Sequence, residues 1–318
     1  MNHRLNLLKN IIKFKGFFFL FLVLARVVEK YFRVNILRQK SAVKKINKMY
    51  RMTLNLNGPS FDQELFLFRN REQFETEIVK SIVEKGMNIL DLGANIGYYT
   101  LLLSNLVGSS GKVYAVEPLP QNYEKLENHL LLNDIKNVEA FNIAISSETG
   151  HINFFVGAEH NLGSLVNIET QKQTGKQIRV KTFSLADFLV NKSKIDLIRM
   201  DIERGELKVF YNMISEFPKR GIEYPKMIMF EVHPEGDVDP DPSFTPLLSK
   251  LAEIGYTAKY TVSSSNPVAQ EKYESLGYTP KQVGFRGHAL FVDINKDHFL
   301  KIAARRPKVT RAILLVKN

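Results

Sequence analysis

Two short acidic motifs carry residue types that can do chemistry. One is Met200-Asp201-Ile202-Glu203-Arg204-Gly205-Glu206, and the other is Phe230-Glu231-Val232-His233. A spacing of two puts Glu231 and His233 on one face of an extended strand. A carboxylate–imidazole group at the mouth of a site can remove a hydroxyl proton. Asp201, Glu203, Glu231 and His233 are therefore the candidate catalytic residues. The plainer alternatives are that Glu206 charges a helix N-terminus and that His233 only opens a loop. Oxygen ligands with one imidazole would also suit a divalent cation. Nothing in the spacing demands one, and no metal is assigned.

A second constellation is Asp91-Leu92-Gly93-Ala94-Asn95-Ile96-Gly97, with Glu117 at the end of the next apolar run. Gly93 and Gly97 permit a tight turn and a close backbone approach. A carboxylate at Glu117 can accept both hydroxyls of a ribose. A dinucleotide site reads G-x-G-x-x-G and sets pyrophosphate on a helix N-terminus. Here the glycines are spaced G-x-x-x-G, and Asp91 stands before them, where an acid suits a cationic ligand. S-adenosyl-L-methionine has an ammonium and a sulfonium but no phosphate. The candidate cofactor-binding residues are thus Asp91, Gly93, Ala94, Asn95, Gly97, Glu117 and Asp201. A plain glycine-rich turn is the alternative.

These residues need elements to hold them. Apolar runs at 87–92, 112–117, 138–145, 195–202 and 226–233 read as buried strands, with 258–262 and 289–294 as closing strands. Helical stretches separate them, and the alternation implies a doubly wound, mostly parallel α/β sheet of seven strands. Ligands of such a sheet bind at the carboxyl ends of strands, near the reversal of strand order. Both constellations fall at such ends. RMTLNLN (51–57) and ELFLF (64–68) read as a strand pair leading in, and 71–85 as a helix. Ser184 with Asp187 three residues on reads as a capping-box variant for a helix over 184–190. The polar insert 158–177 has the length of a lid or a surface loop, with His160, Asn161 and Ser164 as its testable groups. Asp237, Asp239 and Asp241 imitate a calcium loop, but Pro240, Pro242 and Leu248 break the pattern, so a solvated acidic loop is expected.

The net charge of +11 sits at the ends. Residues 1–50 hold twelve Lys/Arg and one acid, Glu29. Residues 295–318 hold seven Lys/Arg and one acid, Asp297. The body between them carries −6, which disfavours a nucleic-acid groove at the site. There is no cysteine, so thiolate zinc sites, disulfides and Cys nucleophiles are excluded. The organisation expected is a basic helical extension (1–49), a catalytic domain (50–294) and a basic C-terminal tail (295–318). Gly16–Ala25 is a run of ten uncharged residues, short of the ~20 that a helical span needs. It reads either as an interfacial helix on anionic headgroups or as a helix docked on its own domain or a partner. The expected location is cytoplasmic, with peripheral membrane contact through residues 1–50 on the first reading.

The motifs resemble the FkbM family of methyltransferases. The likeness rests on DLGANIGYYT (91–100), VYAVEP (113–118), Asn142-Ile143-Ala144-Ile145-Ser146 with Gly150, VKTFSLADFL (180–189), IDLIRMDIERGE (195–206) and FEVH (230–233). It implies a class I methyltransferase fold of Rossmann-like type and transfer from S-adenosyl-L-methionine, mostly to hydroxyl oxygens of natural products or glycans. By position it implies donor-loop roles for Asp91, Gly93, Asn95 and Gly97 and ribose binding by Glu117. Asp201, Glu203 and Glu206 resemble the family's acidic motif. The chain has Arg204 where the family usually has glycine, which leaves Arg204 able to meet an anionic acceptor. The expected acceptor is a saccharide, a lipid-linked glycan or a secondary metabolite. A catalytically inactive adenosine-ligand-binding or scaffold protein on this fold is the alternative, and an rRNA methyltransferase a further one.

Overall fold

The computed structural model describes residues 2–157, 163–164, 173–233, 244–303 and 309–318. His160, Asn161, Asp237, Asp239 and Asp241 lie outside them. Helix α1 (Asn2–Tyr31) is broken at Gly16, where φ is 81° and ψ 167°, and passes into a π turn at Phe32–Ile36. The hairpin β1 (Ser41–Ile46) and β2 (Tyr50–Asn55) follows, then α2 (Ser60–Phe68) and α3 (Gln73–Ile82). Next come β3 (Asn88–Leu92), α4 (Tyr98–Val107), β4 (Lys112–Val116), α5 (Pro120–Leu132) and β5 (Val138–Phe141). A small sheet is built from β6 (Ala144–Ser146), β7 (Gly150–Gly157), β8 (Gly163–Ser164) and β9 (Gln173–Ser184). After α6 (Leu185–Leu189) come β10 (Leu197–Met200), α7 (Glu206–Arg220), β11 (Met227–Glu231) and α8 (Phe244–Glu253). The chain continues through β12 (Tyr256–Ser263), α9 (Pro267–Glu274), β13 (Gln282–Val283), β14 (Ala289–Ile294), α10 (Lys296–Ile302) and β15 (Thr310–Lys317).

Among the described residues the main sheet has nine strands in the order β13-β14-β12-β15-β11-β10-β3-β4-β5. Its centre, β11-β10-β3-β4-β5, is parallel. Alternation along each strand feeds two cores. Leu90, Leu92, Ile198, Met200, Ile228 and Phe230 pack with α6, α7 and α8 on one face. Ile89, Leu197, Met227 and Met229 pack with α3 and α4 on the other. This is a doubly wound α/β arrangement with a parallel centre. The strand order reverses between β3 and β10, so their carboxyl ends flank the crevice where ligands of such sheets bind.

Several expectations are corrected. The sheet has two strands beyond the expected seven, β13 and β15. Residues 310–317 are not a basic tail: β15 lies between β11 and β12, antiparallel to both. Its apolar run Ala312–Leu315 supplies both cores at once, and the two flanking charges had masked it. The extension is not helical to residue 49, because β1 pairs with β2 from Ser41 on. ELFLF is part of helix α2, not a strand, and buries Phe61, Leu65 and Phe66 on one side at helical spacing. The run 138–145 divides between two sheets, as β5 and β6. The Ser184 cap is as expected, with its side chain accepting from the Asp187 N–H at 3.0 Å.

Candidate active site

The turn after β3 is held by the end of β4: the N–H groups of Gly93 and Ala94 both donate to the Val116 carbonyl at 3.0 Å. Gly93 has φ 79° and lies against the end of β10, where a Cβ would stand 1.9 Å from the Asp201 carbonyl oxygen. Gly97 has φ 97°, precedes the first turn of α4, and a Cβ there would meet Leu126 at 2.7 Å. The glycine spacing thus answers one close contact with backbone, at Gly93, and one with the Leu126 side chain, at Gly97.

A cavity of about 250 Å³ opens beside this turn. Gly93, Ala94, Asn95 and Glu117 line one side, and Asp201, Glu203 and Glu231 another. Leu119, Ile145 and Phe154 add an apolar wall from the small sheet and the β4–α5 turn. The Glu117 carboxylate accepts the Asn95 N–H at 2.8 Å and the Leu119 N–H at 3.0 Å. Burial pushes its pKa up to about 7, against the pull of those donors.

Two expected donor-loop residues stand apart from the cavity lining. Asp91 is fully buried, accepts from the Thr100 hydroxyl at 2.7 Å and pairs with Arg199 at 3.4 Å. It shares the α4 side of the sheet with Ile89, which turns it toward Thr100 and away from the cavity. Gly97 likewise serves the helix start. Asp91 therefore fixes the loop through Arg199, whose Nη1 also donates to the Gly93 carbonyl at 3.2 Å. The other Arg199 nitrogen pairs with Asp201 at 3.0 Å, and its guanidinium lies 4.2 Å from the Tyr99 ring centroid.

His233 stands between three carboxylates. Its Nδ1 meets Glu206 Oε1 at 2.9 Å, and its Nε2 lies 3.5 Å from Glu203 and 3.6 Å from Glu231. Burial works to lower its pKa, but Glu206, Glu203 and Glu231 outweigh it and lift the pKa to about 10. At neutral pH both ring nitrogens of His233 carry a proton, which leaves no lone pair to accept another. Burial raises the pKa of Glu203 to about 7, with Asp201 and Glu231 adding to the rise and His233 opposing it. A base is most effective when its pKa lies near the working pH. Ligand atoms of Asp201, Glu203 and His233 all fall within 4.8 Å of one another, close enough to hold a divalent cation.

The sequence reading missed the basic partners. Arg199 sits inside an otherwise apolar strand on the same face as Asp91, and a lone charge in such a run is the signal that finds it. Arg71, Glu72 and Arg311 also line the cavity. Glu72 joins them, at 2.8 Å from Arg71 and 3.0 Å from Arg311. Arg311 was hidden in the supposed tail.

The acidic loop is left-handed at two successive residues, Glu203 (φ 52°) and Arg204 (φ 76°). Arg204 forms no hydrogen bond or ion pair among the described residues and does not line the cavity. Its replacement of glycine therefore leaves the cavity open. A side chain in this conformation costs about 1–2 kcal/mol, of which glycine's extra freedom in the unfolded chain returns about 0.5–1. Arg204→Gly should raise the unfolding free energy by up to about 1.5 kcal/mol, read from the urea midpoint. A loss of stability would refute the strain.

The profile of the domain described as Methyltransferase FkbM matches residues 91–258, more than half of the chain. The chain belongs to the FkbM methyltransferase family. The FkbM match runs from the glycine turn through the acidic loop to β12. A protein-L-isoaspartate O-methyltransferase of Methanococcus maripaludis is 37% identical over 57 residues, covering 18% of this chain and 27% of the relative. The methyltransferase sdnD of Sordaria araneosa is 28% identical over 159 residues, covering 40% of this chain and 61% of the relative. The chain thus spans less than two thirds of either relative's length. Among solved structures, an FkbM methyltransferase of Methylobacillus flagellatus aligns with a TM-score of 0.37 at 14% identity, over 65% of this chain and 43% of that one. The methyl donor of the FkbM family is S-adenosyl-L-methionine.

The residues present fit that donor. Glu117 presents a carboxylate for ribose hydroxyls, and the carboxylates of Asp201, Glu203 and Glu231 in the lining suit a cationic ligand. Glu117→Ala should weaken S-adenosyl-L-methionine binding by about 1.5–3 kcal/mol, the range of hydrogen bonds to a charged group. Calorimetry showing unchanged affinity in a folded variant would remove Glu117 from the ribose.

Proposed function

We propose that this FkbM protein methylates a hydroxyl oxygen of a saccharide, a lipid-linked glycan or a secondary metabolite. The observation that carries the reading is the convergence of Asp201, Glu203 and Glu231 on the cavity that the glycine turn borders. S-adenosyl-L-methionine supplies an electrophilic methyl group on a sulfonium centre. An alcohol is a weak nucleophile, and a positioned base contributes about 10²–10⁴-fold. Glu203 takes the hydroxyl proton at a carboxylate oxygen. Asp201, held by Arg199, orients the acceptor, and the His233 imidazolium stabilises the ionised Glu203. Such alignment can supply about 7–11 kcal/mol of the barrier. The Methanococcus relative is an O-methyltransferase, and its 57-residue match supports oxygen as the target.

The test is a screen of hydroxyl-bearing glycans, lipid-linked glycans and metabolites with the full chain and S-adenosyl-L-methionine. Mass spectrometry should find the gain of one methyl, mapped by fragmentation to an oxygen. A methylated nitrogen would refute the O-directed reading. Donor binding with no methyl gained on any acceptor would favour the inactive scaffold.

A further inference from the structure

Helix α1 is docked by one face only. Beyond the Gly16 break, Phe19 stacks on Phe68 of α2 with centroids 6.4 Å apart, Val23 is buried, and Arg26 donates to the Leu67 carbonyl at 2.6 Å. Lys30 bonds Gln63 on the same side. The opposite face is bare: Phe17 and Phe18 are each 74% exposed, Phe21 65%, Leu24 51%, Val28 67% and Tyr31 65%. These positions recur at helical spacing and form one apolar stripe. An isolated exposed apolar residue needs no explanation, but a contiguous aromatic stripe of this kind marks an interaction surface.

Charge decides what covers it. Glu29, the single acid of residues 1–50, is already engaged by Arg33 at 2.8 Å and by Lys44. Lys9, Lys13 and Lys15 precede the stripe and Arg38 and Lys40 follow it, and none of the five forms an ion pair among the described residues. A second copy would bring the same basic segment against this one, with like charges opposed. Phe17–Tyr31 rises about 22 Å as a helix, short of the ~30 Å bilayer core. No helix among the described residues is long and apolar enough to cross a membrane.

We propose that the Phe17–Tyr31 face of α1 lies flat on an anionic lipid surface, with phenylalanines in the acyl boundary and the flanking cations on the headgroups. The two readings open at the level of sequence, docking and interfacial binding, then hold together on opposite faces of one helix. Helix α1 rests on α2, and Phe61 of α2 lines the donor cavity, so the cavity stays about one helix layer from the lipid. The proposal does not depend on which acceptor is methylated.

The chain has no tryptophan, so Phe21→Trp gives a single emission reporter in the full-length protein. Its emission should shift to the blue with vesicles of phosphatidylcholine and phosphatidylglycerol. The parent chain should float with those vesicles at least about tenfold more than with phosphatidylcholine alone, and release in high salt. The triple variant F17S/F18S/F21S should keep its affinity for S-adenosyl-L-methionine and lose vesicle partition by at least about tenfold. Unshifted tryptophan emission overturns the proposal. So does a triple variant that floats like the parent, because charge alone would then account for binding. A parent dimer in sedimentation that the triple variant dissolves assigns the stripe to a second copy and also overturns it.

Discussion

Glu203→Gln is expected to lower turnover by at least ~10²-fold, with the affinity for S-adenosyl-L-methionine nearly unchanged. The substitution keeps the shape and removes the proton acceptor. The pH profile gives the sharper readout. Glu203 must be ionised to act, and its pKa stands at about 7, so activity of the parent should rise as pH passes through that value. The variant's residual activity should lack this limb. The fold should not suffer. A carboxyl whose pKa is raised on folding adds stability below its unfolded pKa, and that contribution is lost as pH rises through the folded value. Glutamine is neutral throughout, so at neutral pH the variant should be no less stable than the parent. Near-normal turnover with an intact acid limb would move the base to Asp201 or Glu231.

Gly93→Ala should lower the unfolding free energy by about 2–5 kcal/mol. Two costs combine. A side chain at φ 79° is strained by about 1–2 kcal/mol, and overpacking adds about 1–3. The new methyl would stand 1.9 Å from the Asp201 carbonyl oxygen, which is backbone and cannot swing aside. Either the turn after β3 or the end of β10 must move, and each carries cavity-lining residues. Donor affinity should therefore fall together with stability. Urea unfolding and calorimetry on one preparation check both, and an alanine variant as stable as the parent would show that the approach of the two strand ends is not tight.

The parallel centre of the sheet was legible because its strands are mostly apolar runs separated by helices, as in IDLIRMDI and KMIMFEVH. The acidic residues were legible because strand ends are where such sheets place ligands. What escaped notice shares a physical origin. Arg199 reads as an interruption of an apolar strand until Asp91 is seen beside it at the same level of the sheet. Arg311 and β15 were hidden because a short strand between Arg311 and Lys317 looks basic in composition, while its middle is buried on both sides. His233 looked like a base because its residue type suggests one. Only the three carboxylates around it, brought from β11, α7 and the loop before α7, decide that it is charged. ELFLF misled because a five-residue apolar run has no period long enough to separate helix from strand.

The position of β15 also orders events during synthesis. It follows the other strands in the chain, yet it is the spacer that joins β11 to β12. Until the ribosome has delivered it, β11 and β12 each present an open edge of the kind that recruits foreign strands. Arg311 arrives with it, so Glu72, Glu75 and Glu231 stay without this shared cation until the sheet closes. A nascent or clipped chain lacking β15 would hold its glycine turn and acidic loop in sequence but not the charge balance around them. Incomplete molecules are left with the exposed edges that chaperones and proteases recognise.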